Sequence, residues 1–160
     1  MKGQGARSPL GRKPHLAAAF QSGLAQDGVF SPGDRLVVAV SGGLDSMVLL
    51  HLLRFASALP FERLLVAHFD HRMRPDSQAD GQWVRGVCRA WGIELRGGEA
   101  EPIPSSEEEA RDLRYEFLTE LKEEVGAKWL VTAHHANDQA ETVLFRVSRG
   151  TGLRGLAAVS

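Results

Sequence analysis

Apolar residues along this chain fall into two alternating patterns. Short aliphatic and β-branched runs at residues 35–40, 63–68, 93–96 and 128–132 are too brief for free-standing helices and predict buried strands. Between them, apolar residues return every three or four positions, the spacing of a helix with one buried face. Residues 15–25 place Leu16, Ala19, Phe20 and Leu24 on such a face. Residues 44–54 are apolar nearly all round, which predicts a helix packed against the sheet. A third helix starts at Asp76 and Ser77, presents Ala79, Trp83, Val84, Val87, Cys88 and Trp91 as core, and ends at Gly92. Ser105 and Ser106 cap a fourth, and Glu107, Glu108 and Glu109 sit at the positive end of its dipole. Beyond the fourth strand, Ala136, Ala140, Val143, Leu144 and Val147 predict another helix, and a fifth strand is expected near residues 156–160.

Strands that alternate with helices, joined by long crossovers, imply an α/β fold: a parallel sheet with helices on both faces. The expected strand order is 3-2-1-4. It puts the switch point between the first and fourth strands, where such sheets bind ligands. Residues 41–46 and 134–138 then face each other across one crevice.

The chemistry gathers at the strand ends. Ser41, Gly42 and Gly43 follow the first strand, and Leu44 opens a helix. Glycines let a backbone approach a phosphate closely, and free N–H groups at a helix start attract anions. Ser41 and Ser46 add hydroxyl donors, and Asp45 is placed to hold a cation or orient the loop. A tight strand-to-helix turn with a Ser or Asp cap is the bland alternative. The lysine of a G-x-x-x-x-G-K-[ST] loop is missing, which suits ATP cleaved between its α and β phosphates.

His68, Asp70, His71, Arg72 and Arg74 crowd the end of the second strand and form a binding loop. Metal binding by His68, Asp70 and His71 is disfavoured, because no second cluster of matching spacing exists. Arg111 and Arg114 share one face of the fourth helix beside Tyr115. They read as a salt-bridged surface, or as a phosphate clamp if they sit near the loop. His134, His135, Asp138 and Glu141 bring imidazoles and carboxylates to the end of the fourth strand.

Composition narrows this picture. With 160 residues the chain suits one domain, and 43% apolar with 24% charged residues is ordinary for a globular protein. A net charge of −1 gives no global case for nucleic acid, so an RNA surface would be a local patch. The single cysteine excludes a disulfide framework and a C-x-x-C pair, which agrees with a reducing cytoplasm. No apolar run reaches membrane-spanning length. Residues 1–14, with Lys2, Arg7, Arg12 and Lys13 among Gly, Ser and Pro, read as a flexible basic arm ahead of one domain at 15–160.

Four segments together carry a family resemblance. Residues 41–46 match the PP-loop signature of the N-type ATP pyrophosphatases. Residues 68–74 resemble D-H-x-L-R with Met73 for Leu, and 110–115 resemble A-R-x-x-R-Y. Residues 132–142 and 149–156 are similar to T-A-H-H-x-D-D-Q-x-E-T and R-G-x-G-x-x-G-L. The set resembles the N-terminal catalytic domain of the tRNA(Ile)-lysidine synthetases, with a Rossmann-like, adenine nucleotide alpha hydrolase-like fold. The resemblance implies a cytoplasmic ligase that uses ATP and Mg²⁺ to activate the C2 carbonyl of the wobble cytidine of tRNA(Ile). The ε-amine of free lysine then displaces AMP, giving lysidine.

The resemblance also implies roles. Ser41, Gly42, Gly43, Leu44, Asp45, Ser46, His68, Asp70 and Arg114 would hold the nucleotide. Asp45, Arg111, His134 and Asp138 would be catalytic, with Asp45 and Asp138 on the metal. A homodimer is compatible with it. Two departures stand out: Asn137 replaces the first aspartate of the D-D pair, and the chain ends where the family continues, as a truncated domain would. The alternatives are another PP-loop tRNA-modifying or amide-forming enzyme, or a non-catalytic ATP-binding fragment.

Overall fold

The computed structural model describes residues 16–27, 30–57, 63–135 and 143–149, with side chains assigned up to residue 133 except at 26 and 27. Strands β1 (Leu36–Ala39), β2 (Leu64–Asp70), β3 (Glu94–Glu99), β4 (Trp129–His135) and β5 (Val143–Arg149) form one sheet in the order β3-β2-β1-β4-β5. The first four are parallel and realise the expected 3-2-1-4 order. Helices α1 (Leu16–Asp27), α2 (Leu44–Phe55), α3 (Ser77–Trp91) and α4 (Glu107–Glu124) complete the fold.

Strand side chains alternate between two apolar layers, as the two-residue period requires. Leu36 and Val38 of β1 join Leu49, Leu50 and Leu53 of α2, Val84 and Cys88 of α3 and Phe20 of α1 on one face. Val37 turns the other way, onto Leu118 and Leu121 of α4. Leu36, Val37 and Val38 are fully buried, so β1 is the centre of the molecule.

The α4 start follows its sequence closely. Ser106 Oγ accepts from the Glu109 N–H at 3.1 Å, and Glu109 accepts in return from the Ser105 N–H and hydroxyl, each at 2.7 Å. These bonds hold the Glu109 carboxyl below its ordinary pKa.

Three expectations are corrected. Asp76 is the N-cap of α3, but its side chain makes no capping bond. On α3 only Val84 and Cys88 are buried; Trp83 is 59% exposed and Ala79 is exposed too. Trp91 is partly buried and packs against the core as expected, and with Trp83 and Val87 it lines a groove shared with Leu16 of α1 and Met47 of α2. Within it Trp91 packs edge-on to Phe55, with centroids 5.2 Å apart.

The second correction lengthens β3 to Glu99, through two glycines that read locally as loop. A Cβ on Gly98 would lie 2.7 Å from Phe117 Cε2, so the ring of α4 occupies the side-chain position of the strand. Gly98→Ala should lower stability by about 1–3 kcal/mol, read as a lower urea midpoint at unchanged m. The third correction concerns Val143–Arg149, which runs antiparallel to β4 instead of forming a helix. Val143, Phe145 and Val147 also alternate at a period of two, and the open edge of β4 supplies the ladder. The fifth strand expected at 156–160 and the basic arm at 1–14 lie outside the described residues.

A polar clamp fixes β1 to β4. The buried Asp34 carboxylate accepts from Ser31 N–H at 3.0 Å, from Lys128 Nζ at 3.0 and 3.1 Å, and from Trp129 Nε1 at 2.8 Å. The Ser31 bond, then the Trp129 bond, and then Lys128 draw its pKa from 3.8 to about 2, against the opposing effect of burial. The folded state therefore favours the ionised form. That contribution is complete above pH 3.8 and is lost as pH falls towards 2. Acid titration of the unfolding midpoint should show this loss in the wild type and not in Asp34→Asn.

Candidate functional site

Parallel pairing brings the C-terminal ends of β1, β2 and β4 together: Ala39 is level with Ala67 on one side and Thr132 on the other. The chain leaves β1 into the loop at Ser41. Gly42 adopts φ +93°, where L side chains rarely go, and a Cβ there would stand 3.2 Å from Asp80 Cβ and 3.6 Å from Val84 Cγ2 of α3. The loop is thus pressed onto α3 without room for a side chain.

Gly43 is the N-cap of α2 and lacks a side-chain cap. Ser41 Oγ accepts from Gly43 N–H at 3.3 Å, and Ser46 Oγ donates to the Gly43 carbonyl at 2.8 Å. Ser46 spends its proton there, so Ser41 is the donor in the 3.2 Å contact between the two hydroxyls. The first ladder bond of α2 runs from Met47 N–H to Gly43 O at 3.1 Å. The N–H groups of Leu44, Asp45 and Ser46 precede it and have no acceptor within the helix. Leu44 contributes backbone, since its side chain is 77% exposed.

At the end of β2, buried His68 places Nδ1 2.8 Å from the Val40 carbonyl. Arg72 adopts φ +58°, held by its N–H donating to Asp70 Oδ1 at 2.7 Å. Arg74 pairs with Asp80 at 2.7 Å. Across the opening, α4 offers Arg111 and Arg114, whose guanidinium carbons lie 5.8 and 5.1 Å from the centre of the Tyr115 ring.

One cavity of about 580 Å³ joins these parts, and Ser41, Ser46, His68, Asp70, Arg111 and Arg114 all line it. That volume suits a ligand the size of a nucleotide. The arginines therefore stand at the loop, as the clamp reading required. Among the described residues, the buried side-chain polar atoms without a hydrogen-bond partner are His68 Nε2, His71 Nδ1 and Arg114 Nε. All three belong to residues lining this cavity. Unpaired buried nitrogens are uncommon, and those of His71 and Arg114 point to a ligand, while His68 Nε2 lies against α3 at Gly81. Burial, then the positive charge of Arg114, pushes the His71 pKa down and favours its neutral imidazole.

Gly42, Gly43 and Asp45 lie in the loop and the first helical turn beside the cavity. The backbone of His134 follows the cavity-lining Ala133 in β4, which ends at His135. The His134 side chain and Asp138 lie outside what is described. Among the described residues no group of three His, Cys, Asp or Glu side chains could hold a metal ion. The acidic partner Asp80 and the close approach of Gly81 were missed from sequence. A glycine inside the α3 pattern was the available signal.

The family model of a PP-loop domain matches residues 13–160. The chain is 44% identical over 136 residues to the tRNA(Ile)-lysidine synthase of Thermotoga maritima, covering 80% of this chain and 33% of that protein. It is 42% identical over 132 residues to the protein of that name from Gloeobacter violaceus, covering 82% of this chain and 41% of that protein. With the one from Novosphingobium aromaticivorans the identity is 38% over 164 residues, covering 98% of this chain and 46% of that protein. The chain thus spans between a third and a half of the length of these curated relatives. A solved U34-tRNA thiolase from Methanococcus maripaludis shares the fold, with TM-score 0.60 and 17% identity over 72% of this chain and 42% of that one.

Proposed function

We infer the activity from one premise: the chain belongs to the PP-loop domain family. The reading is ATP-dependent ligation of free lysine to C2 of the wobble cytidine of tRNA(Ile), with AMP and pyrophosphate as products. Identity near 40% to lysidine synthases over most of the chain supports it. The observation that carries it is the single cavity in which the loop hydroxyls meet Arg111 and Arg114.

The residues divide the work by position. The N–H groups of the α2 start, with Ser41 and Ser46 once their hydroxyls turn from their present contacts, take the β and γ phosphates, which depart as pyrophosphate. Arg111 and Arg114 face the α-phosphate, where charge builds as the cytidine C2 oxygen attacks phosphorus. Asp70 fixes the neighbouring turn through Arg72. Lysine then adds through its ε-amine at C2, the C2–oxygen bond breaks and AMP leaves. His134 accepts or relays the amine proton in this scheme.

Magnesium beside substrate phosphates needs only one or two carboxylates, and Asp45 in the first turn of α2, together with Asp138, would hold it. When bound, the ion would offset the charge of the leaving pyrophosphate.

Sulfur transfer is the weaker reading. Cys88, the one cysteine of the 160 residues, is buried in the core, and burial pushes its thiol up to about 11. It offers no thiolate to carry sulfur. No helix among the described residues is long and apolar enough to cross a membrane. A lysine- and tRNA-dependent AMP release assay, run on this chain and on the full-length gene product, tests the ligase. AMP release without a lysine requirement in both would exclude it.

A further inference from the structure

We propose that His68 is a positioning residue that sets the shape of the nucleotide loop, a task distinct from contact with the nucleotide. Three contacts and a stretch of chain close a ring around the loop. His68 Nδ1 lies 2.8 Å from the carbonyl of Val40, the residue just before the loop. The ring itself rests on α3, where a Cβ on Gly81 would meet Nε2 at 3.2 Å and Cδ2 at 3.4 Å. The preceding residue, Asp80, backs Gly42 at the loop's turn, as described above. The chain from Val40 through Ser41 to Gly42 completes the circuit.

The chemistry fixes the direction of the central bond. A carbonyl only accepts, so Nδ1 carries the hydrogen of this bond. The Val40 N–H is committed to the Ala67 carbonyl at 2.9 Å, so both polar groups of Val40 are held by the end of β2. His68 is 7% exposed, and its bond is shielded from competition by water. The outcome is a loop entrance that cannot rotate away from β2 without leaving a buried carbonyl unpaired. Gly81 is the clearance for the ring, and a larger residue there would push it by a few tenths of an ångström.

This rests on the nucleotide reading of the loop, so the test carries one readout that needs no nucleotide. His68→Asn keeps an amide donor at the place of Nδ1, His68→Gln moves the donor to the place of Nε2, and His68→Leu has none. With the 160-residue chain, ATP and magnesium in a calorimeter, His68→Gln and His68→Leu should bind about tenfold more weakly, the scale of one lost bond to a buried carbonyl. His68→Asn should bind within about threefold of wild type, and Gly81→Ala should fall between. Without nucleotide, amide NMR shifts of Gly42 and Gly43 should move in the Gln and Leu variants and stay in Asn. Ring nitrogen spectra of the wild type should show His68 protonated at Nδ1.

Gln and Leu variants that leave both the loop amides and ATP affinity unchanged would overturn the role. So would Asn shifting the amides as far as Leu does. If no protein binds ATP, wild type included, the nucleotide reading fails, while the amide shifts still decide the role of His68.

Discussion

Gly42→Ala should weaken ATP binding about ten- to a hundredfold while leaving the chain folded. Two costs act at once. A residue with a Cβ pays about 1–3 kcal/mol to hold an unfavourable positive φ. The same Cβ also presses on Asp80 Cβ at 3.2 Å and approaches the α3 backbone at Asp80 Cα, 3.7 Å away. These are not the far ends of flexible side chains, so the loop must lift off α3. The contact between Ser41 and Ser46 then opens, and the amides of the α2 start lose their common aim. Calorimetry with ATP and magnesium measures the affinity, and thermal melting checks the fold. Unchanged affinity would mean that the loop is not the phosphate cradle.

Arg111→Ala and Arg114→Ala should each slow tRNA-dependent ATP–pyrophosphate exchange by about 10²–10³-fold, the scale set by removing one preorganised donor from a developing negative charge. Arg111 is exposed, so its loss should barely move the melting temperature. Arg114 is half-buried, with Nε lacking a partner, and packs on the buried Tyr115 ring, so its replacement should also cost some stability. Lysine at either place should restore little, because a single ammonium cannot reproduce the fork that grips two phosphate oxygens. Exchange at wild-type rate in both variants would remove the clamp from the mechanism.

Much of this was legible in the sequence because the relevant signals are local. The glycine pair after a β-branched run, the serine cap with its glutamates, and the alternation of strands and helices are each encoded within about ten residues. They led to the 3-2-1-4 order, whereas the sequence left open whether Arg111 and Arg114 stand at residues 41–46 or on a salt-bridged surface, and the fold places them at the loop. The misreadings share a different cause. Gly97 and Gly98 look like loop until Phe117 is seen lying on the strand. Trp83 looks like core until α3 is seen to need only Val84 and Cys88 against the sheet. The residues 143–149 satisfy both a helical and an alternating period, and the neighbouring edge of β4 decides between them. Asp80 and Gly81 take their meaning from β1 and β2, which only the folded chain brings beside them.

The Asp34 clamp has a consequence for how the protein is made. It joins groups 94 residues apart, and Leu36 must pair with both Leu64 and Trp129. On the ribosome the central strand emerges first, yet its second neighbour follows only after β2 and β3 have appeared. Until then β1 keeps a bare, valine-rich flank that other nascent chains can join. Non-local pairing of this kind also slows folding. The glycine hinge is therefore synthesised well before β4 and takes its final shape only once β4 has paired.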